Sequence, residues 1–296
     1  SAAFALFTLY SARMRYWQTS RRKIDLDRTL VMAVLNVTPD SFSDGGQHLG
    51  RDEAIKRVEI MITEGADIID IGGESTRPGS ERVTEEIEIE RVAPVIAAIN
   101  ERFDIPISID TSKSSVAKAA LAAGAEIVND ISGLRFDQRI AEVAAKNNTG
   151  LILMHSRGEF HEMHGQRPVD DIMYDVAADF RRGVDSARVA GIRDEQIVLD
   201  VGIGFGKTLA QNLELIANID KLATDFANFP FLIGASRKSF IGKILGDAPA
   251  DKRLSGSLAA AAIAVWNGAK IIRVHDIKET VDCVRMIETL LAARTG

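Results

Sequence analysis

The stretch VLNVTPDSFSDGGQ, residues 34–47, leads from an apolar run into a long polar turn. Its first residues complete LVMAVLN, residues 30–36, which predicts a strand buried on both faces. The turn that follows contains two aspartates, two serines and a pair of glycines before a helical pattern resumes. A buried strand that ends in polar residues is therefore the pattern to follow along the rest of the chain.

Eight short apolar runs of this kind occur, and segments with helical periodicity lie between them, for example EEIEIERVAPVIAAINER at 85–102. After LVMAVLN they are ADIIDIG (66–72), IPISID (105–110), AEIVND (125–130), GLILMH (150–155), QIVLDVG (196–202), FPFLIGAS (229–236) and AKIIRVH (269–275). Strand followed by helix, eight times, predicts an α/β protein with a (β/α)8 TIM barrel. An open doubly wound sheet is the alternative, although it seldom needs eight such regular units.

Composition limits the class of protein further. The chain has 296 residues, of which 46% are hydrophobic, as in ordinary globular proteins. Its formal net charge of −6 argues against a nucleic-acid-binding protein, which normally presents a basic face to phosphates. Any anionic ligand must then be held by local cations or by a metal.

The N-terminal region adds an extension and a hairpin to the predicted barrel. SAAFALFTLY is shorter than the roughly 20 apolar residues of a membrane span, and no basic residues precede it as in a signal peptide. We expect an extension at 1–13, one domain at 14–296, and a short hairpin in RYWQTSRRKIDLD (15–27) that covers the bottom of the barrel. The single cysteine, Cys283, lies in an apolar-periodic stretch, which favours a packed helical thiol in a cytoplasmic protein without a membrane partner.

Three of the apolar runs end in hydrogen-bond acceptors, and in a barrel of this kind the loops after the strands form the catalytic face. Asp110, Asn129 and Asp200 close runs that should be buried, where a carboxylate without a partner costs several kcal/mol. The missing donors could come from Lys238 or from a ligand rich in N–H groups. Acceptors of this kind suit a flat heterocycle with a paired N–H edge.

The first, second and eighth loops carry a different chemistry. Hydroxyls, backbone donors, arginines and a histidine are typical of phosphate binding, and these loops contain Thr76, Arg77, Pro78, Arg273 and His275. The first loop adds oxygen ligands in Asn36 and Asp44, which suit Mg²⁺ bridged to phosphate oxygens. The residues therefore predict a two-part site, with acceptors deep in the barrel and cations with a metal at its rim.

Two further motifs resemble known sites but lack a required residue. DVGIGFGKT, residues 200–208, has Val201 where a phosphate-binding P-loop needs glycine, so its glycines are interpreted as letting the backbone approach a ligand. Phe205 in this motif is either an aromatic wall of the site or simple loop packing. HEMH, residues 161–164, has histidines three apart rather than four, and a solvated loop is expected. His155 is expected to be a structural histidine.

Seven motifs in order give the chain a family resemblance. They are NVTPDSFSDGG, GGESTRPGS, ISIDT, IVNDIS, LDVGIGFGK, GASRKSF and RVHD, and with them the chain from about Arg15 onward resembles the dihydropteroate synthase family. That resemblance implies condensation of 6-hydroxymethyl-7,8-dihydropterin diphosphate with p-aminobenzoate, with release of pyrophosphate, by a homodimer that uses Mg²⁺ and belongs to a class of sulfonamide targets. Ala33, where the family usually has glycine, and the segment after the fifth strand depart from the pattern, but neither removes a site residue.

The resemblance also implies roles for individual residues. The pterin would be held by Asp110, Asn129, Asp200 and Lys238. The diphosphate would be bound by Asn36, Thr76, Arg273 and His275, with Asn36 also a ligand of Mg²⁺. The p-aminobenzoate pocket would be bordered by Pro78, Phe205, Lys238 and Ser239. The catalytic residues would be Asp44, Arg77 and Lys238, with the first loop closing over the bond being made.

Three other functions compete with this interpretation. A methyltetrahydrofolate-type methyltransferase uses a related barrel and a similar acidic pocket, but it has no use for ESTRPG (74–79) or SRKS (236–239). A pterin-binding paralogue without turnover would keep the pocket and lose the reaction. A generic sugar-phosphate barrel would more often bind its phosphate at the last two loops alone.

Overall fold

Eight parallel strands close into a barrel, which confirms the predicted fold. The computed structural model describes residues 14–38, 46–75, 80, 82–162, 165 and 168–295. A hairpin of β1 (Tyr16–Gln18) and β2 (Lys23–Asp25) precedes the barrel. The barrel strands are β3 (Leu30–Asn36), β4 (Ile68–Gly72), β5 (Ile107–Asp110), β6 (Ile127–Asp130), β7 (Gly150–Met154), β8 (Ile197–Asp200), β9 (Phe231–Ile233) and β10 (Ile271–Val274). All eight predicted runs contain one of these strands.

Helices follow the barrel strands in the described part of the chain. They are α1 (Gly46–Thr63), α2 (Glu85–Arg102), α3 (Ser114–Ala123), α4 (Arg139–Lys146), α5 (Ile172–Val189), α6 (Leu209–Ala217), α7 (Ile219–Asp225), α8 (Ser239–Ile244), α9 (Leu254–Trp266) and α10 (Ile277–Thr295). The predicted helix at 85–102 is α2, and Thr84 caps it by accepting from the amide of Ile87. Gly124, at φ 118°, ends α3 in the left-handed conformation that glycine favours.

Alternate residues along the strands form two separate cores. One apolar cluster fills the lower barrel interior, with Met32, Ile68, Ile127 and Val198 among its members. A larger cluster lies between the strands and the helices. Because side chains of a strand alternate between its two faces, every second residue after a member of the inner cluster also points into the barrel, nearer the carboxyl end of the strand. The inward positions therefore change from apolar at the bottom to polar at the carboxyl ends of the strands.

The hairpin closes the bottom of the barrel as predicted. Trp17 is completely buried in the inner apolar cluster, and its Nε1 donates to the carbonyl of Gln196 at 2.8 Å. A Cβ atom on Gly150 would lie 3.1 Å from the Trp17 ring, so glycine makes room for the indole. Buried Glu126 accepts from Thr19 at 2.5 Å and from Arg22 at 3.1 Å, which fixes the hairpin to β6. The bottom is thus sealed, and the opposite end carries the polar side chains.

Three other predictions concern the chain as a whole. Among the helices of the described residues, none is long and apolar enough to cross a membrane. Cys283 lies half-buried on α10 with its Sγ 3.7 Å from the carbonyl of Leu258, the packed thiol that was expected. The division into an extension at 1–13 and one domain at 14–296 stays a prediction, since residues 1–13 lie outside the described part.

Candidate active site

Arg273 is the centre of a charged cluster inside the upper barrel. From β10 its Nε donates to Asp70 Oδ2 on β4 at 2.6 Å, and its Nη2 donates to Asp110 Oδ2 on β5 at 2.7 Å. Asn129 on β6 donates from Nδ2 to the same Asp70 oxygen at 3.2 Å. Asp70 is completely buried and Asn129 nearly so. Four strands thus supply one hydrogen-bonded network at the catalytic end of the barrel.

The network shifts the ionisation of its members. Burial raises the pKa of Asp110 to about 7, against the attraction of Arg273, and the negative charge of Asp70 raises it further. Burial alone would lower the pKa of Arg273, but Asp70 and Asp110 raise it above its usual value. Arg273 is therefore a permanent, partly buried cation that pairs with the carboxylates of Asp70 and Asp110.

Asp200 and Lys238 form the second part of the site. Asp200 ends β8, is buried, and accepts from the amide of Gly202 at 2.8 Å through Oδ1. Burial raises its pKa, and the nearby ammonium of Lys238 opposes this. Burial lowers the pKa of Lys238 to about 8, while Asp200 and Asp110 favour its charged form. The structure therefore brings the predicted lysine to the predicted acceptors.

Phe205 faces Lys238 across the mouth of the barrel. The Lys238 ammonium lies 4.4 Å from the centre of the Phe205 ring and donates to the carbonyl of Ile203. Phe205 also packs with Met154 and Phe160 in a small apolar cluster beside β7. Phe205 therefore packs in the loop and also contacts Lys238, and its role as an aromatic wall of the site stays a prediction.

Lys238 and Ser239 occupy the turn between β9 and α8. Lys238 is the residue before the helix, and Ser239 is its exposed first residue. The preceding Arg237 has a left-handed backbone at φ 58°, pairs with Asp276 and donates its amide to Ser257 at 2.9 Å. These bonds fix the turn that aims Lys238 into the barrel.

Asn36 and His275 lie at the rim. Asn36 ends β3 and is paired in register with Gly72 of β4. An added Cβ on Gly72 would lie 3.7 Å from Asn36 Oδ1 and 3.8 Å from Asp110 Cβ, so the glycine backbone lies close to both side chains, with room for no more than a methyl group between them. His275 follows β10, and its Nδ1 lies 3.2 Å from Ser236 Oγ.

The arrangement differs in one respect from the predicted two-part site. Arg273 was placed among the rim cations, but its side chain contacts Asp70 and Asp110 at the level of the acceptors. The reason is its position on β10, where it pairs in register with inward-facing Met32. Cations and acceptors are therefore interleaved in the upper barrel. Four predicted site residues, Asp44, Thr76, Arg77 and Pro78, lie outside the described residues, and their roles stay predictions.

Asp70 is the functional residue that the sequence reasoning missed. It stands in the middle of ADIIDIG, whereas the predicted acceptors are residues that close an apolar run. A signal was present, because an aspartate two residues before Gly72 shares its inward face with the site. The structure pairs Asp70 in register with Ser108, another buried polar residue on the barrel interior.

His155 is the structural histidine that the sequence predicts, and HEMH is described only in part. His155 is buried, with Nε2 3.3 Å from Asp175 Oδ2, and burial lowers its pKa to about 4, so it is a neutral structural histidine. His161 of HEMH is exposed beside Glu162. The described residues hold no cluster of three or more histidine, cysteine or acidic side chains suited to a metal. HEMH as a whole lies partly outside the described residues.

The upper barrel brings carboxylates, an amide and two cations together, as in an enzyme that binds a polar, nitrogen-rich ligand. Residues 32–275 match the family model described as pterin binding enzyme. Dihydropteroate synthase of Clostridium beijerinckii is 46% identical over 266 residues, which cover 90% of this chain and 95% of that protein. The enzyme of Escherichia coli K12 is 46% identical over 271 residues, covering 92% and 95%. The chain belongs to the dihydropteroate synthase family.

A solved structure agrees with this assignment. The Yersinia pestis dihydropteroate synthase, crystallised as a sulfonamide drug complex, superposes with a TM-score of 0.87 at 42% identity and covers 94% of this chain and 99% of that one. At this identity the similarity extends beyond the barrel topology.

We predict that Asp70→Asn destabilises the protein although Asp70 lies at the base of the site. Asparagine can still accept from Arg273 but removes one of the two negative charges that balance the guanidinium, which costs about 3 kcal/mol of unfolding free energy. Chemical denaturation followed by circular dichroism measures this. The matched control is Ser108→Ala on the neighbouring strand, which removes a buried hydroxyl that has no hydrogen-bond partner among the described residues. Equal effects of the two changes would contradict the role given to Asp70.

Proposed function

We propose that this chain joins p-aminobenzoate to 6-hydroxymethyl-7,8-dihydropterin diphosphate and releases pyrophosphate. The observation that carries the proposal is the convergence of Asp110, Asn129 and Asp200 with Lys238 beside Arg273. Buried acceptors of this kind match the N–H edge of a pterin, and the cations match a leaving diphosphate. Family membership supports the same reaction.

The acceptors would bind and orient the pterin ring. Two buried oxygens, Asp70 Oδ1 and Asn129 Oδ1, have no hydrogen-bond partner within the described residues. An orphaned buried acceptor costs about 1–3 kcal/mol, which a ligand donor can recover. Asp200 would accept from the opposite side of the mouth, so the ring lies flat between β4 to β6 and β8.

Arg273 would stabilise the charge that develops on the leaving group. Its Nε and Nη2 are engaged by carboxylates, which leaves Nη1 without a hydrogen bond to the described residues. The carbon–oxygen bond breaks with its electron pair moving to the diphosphate, and the amine nitrogen of p-aminobenzoate forms the new bond and then loses a proton. A fixed cation in a low-dielectric site favours this charge separation, since no reorganisation is needed during the step.

Mg²⁺ is proposed to bind at Asn36. The residue offers one side-chain oxygen at the carboxyl end of β3, which fits a cation that takes few protein ligands and completes its shell with phosphate oxygens and water. When bound, the metal would supply charge neutralisation on the diphosphate. Asp44, predicted from the same loop, lies outside the described residues.

The p-aminobenzoate is proposed to lie against Phe205, between Lys238 and Ser239. The Xanthomonas albilineans dihydropteroate synthase, solved with 4-aminobenzoic acid, is 38% identical with a TM-score of 0.87, over 94% of this chain and 98% of that one. A ring that stacks on Phe205 would keep the amine near the pterin methylene, and such fixed proximity lowers the barrier substantially.

The single cysteine supports a reducing, cytoplasmic setting.

The test is to mix the purified protein with the dihydropterin diphosphate, p-aminobenzoate and Mg²⁺ and to measure pyrophosphate and dihydropteroate. We expect both products in equal amounts. Pterin binding without either product would indicate the silent paralogue instead. Transfer of a methyl group from methyltetrahydrofolate, with no pyrophosphate, would indicate the methyltransferase.

The pH dependence of kcat/KM tests the role of Lys238. Because burial lowers the pKa of Lys238 to about 8, raising the pH through 8 removes its positive charge, and kcat/KM should fall on the alkaline side. Lys238→Arg keeps a charge at every accessible pH, so its alkaline decline should disappear even where its rate is lower. An unchanged decline in that variant would assign the titration to another group, such as Lys207, whose pKa burial lowers to about 7.

A homodimer is proposed on the basis of the family and of an apolar face on α9 and α10. Ile263, Trp266, Met286 and Leu290 are all at least 40% exposed. The Arg294 guanidinium lies 5.4 Å from the centre of the Trp266 ring, which places one face of α10 next to α9. Met286, Leu290 and Arg294 are spaced four apart, so they share that face. Exposed apolar residues grouped in this way are typical of an interface.

We predict that Leu290→Glu converts the dimer to a monomer, because a charge in an apolar interface is desolvated without a partner. Light scattering coupled to size exclusion measures the mass. The control is Val189→Glu at the end of α5, where the side chain is 90% exposed and a charge meets only water. A wild-type protein with the mass of one chain would refute the proposal.

A further inference from the structure

Lys207 is the lysine of the motif DVGIGFGKT, and its ammonium binds the chain's own backbone. Its Nζ donates to the carbonyls of Gly202 at 2.8 Å, Phe205 at 3.1 Å and His155 at 3.3 Å. An ammonium group has three N–H donors, so these acceptors use all of them. Two acceptors belong to the loop between β8 and α6, and the third belongs to the residue after β7.

The loop is shaped to place these carbonyls around one point. Gly202, Gly204 and Gly206 have φ values of 64°, 85° and 64°, in the left-handed region that side chains rarely adopt. A Cβ atom on Gly202 would lie only 1.9 Å from the carbonyl oxygen of His155. Glycine at this position therefore allows the two loops to approach, and Lys207 joins them.

The opposite side of the same loop supports Lys238. The Ile203 carbonyl accepts from the Lys238 ammonium, and the Phe205 ring lies beneath it at 4.4 Å. An added Cβ on Gly204 would be 3.0 Å from Lys238 Cδ, so the backbone touches the stem of the lysine. The position of Lys238 thus depends on a loop that Lys207 holds from behind.

The charged groups around Lys207 do not replace these bonds. Burial and the positive charge of Lys238 lower the pKa of Lys207, while Asp200 and Asp175 favour its charged form and Arg157 opposes it. The bonds to the three carbonyls are accordingly what keeps this cation in place, rather than an ion pair.

We propose that Lys207 is a positioning residue for the proposed reaction: it holds the β8–α6 loop so that Ile203 and Phe205 fix Lys238 at the substrates. It binds carbonyls and does not contact phosphate. The inference rests on the proposed function, since Lys238 and Phe205 are given their roles there.

The test compares Lys207→Met with the unmodified enzyme. We expect a rise in KM for p-aminobenzoate and a fall in kcat, on the order of 10- to 100-fold in kcat/KM, as for a displaced positioning group. The inhibition constant of pyrophosphate should stay within about twofold, since the diphosphate site is left intact. A weaker pyrophosphate inhibition with an unchanged KM for p-aminobenzoate would show direct phosphate contact and overturn the proposal, as would unchanged kinetics.

Chemical rescue separates positioning from a general folding defect. Lys207→Cys is made in a Cys283→Ser background and treated with 2-bromoethylamine, which rebuilds an ammonium of nearly the same length on the new thiol. Recovery of the KM for p-aminobenzoate supports the proposal, and alkylation without recovery contradicts it. The Cys283→Ser protein treated in the same way is the control.

If the lysine variants do not fold, a second variant tests the side of the loop that contacts Lys238. Gly204→Ala keeps Lys207 but pushes a methyl group towards Lys238 Cδ, so it should raise the KM for p-aminobenzoate in the same way. Normal kinetics in Gly204→Ala would contradict the role of the loop. Absence of pyrophosphate release by the unmodified enzyme would instead refute the proposed function and is seen before any variant is made.

Discussion

The ion pairs of Arg273 with Asp70 and Asp110 are the constraint on which the barrel mouth depends. Removing a charge from water costs several kcal/mol unless partners and hydrogen bonds replace the solvent. The partners of Arg273 come from β4 and β5. Because β3 lies between β10 and β4, both ion pairs span β3 below Asn36. Arg273, Asp70 and Asp110 therefore find their charged partners only when the barrel is correctly closed. The site forms only when the fold forms.

Two glycines lie next to this network at the upper end of the barrel. Gly72 ends β4 and Gly234 follows β9, and Asn36 Oδ1 and Arg273 Cβ would each lie 3.7 Å from an added Cβ. Such contacts are ordinary in length, so the fold itself would accept alanine at either position. The glycines of the β8–α6 loop act differently, because their left-handed backbone is needed to turn the carbonyls toward Lys207. At the strand ends glycine thus omits the volume of a side chain, and in the loop it supplies the left-handed backbone conformation.

The strands and most of the described site could be predicted because both follow from period and position. A buried run that ends in Asp110, Asn129 or Asp200 identifies the strand and its catalytic end together. Asp70 escaped because it interrupts a run instead of ending it, and only the register shows that it faces inward. The interleaving of Arg273 with the carboxylates was also beyond the sequence, since the distance across a barrel depends on strand order and stagger. Lys207 was seen only as part of a P-loop-like motif, and its carbonyl ligands follow from glycine conformations that spacing does not reveal.

The unsatisfied acceptors of the site indicate how stability is divided between fold and function. Asp70 Oδ1, Asn129 Oδ1 and Ser108 Oγ are buried without partners among the described residues. The fold tolerates them because the apolar layer sealed by Trp17 lies below and the larger core surrounds the strands. A ligand that donates to these atoms recovers a cost already present in the free protein, so its binding favours one orientation. The network is also charged in the free protein, so in the proposed reaction transition-state charge would meet fixed groups rather than groups that must move.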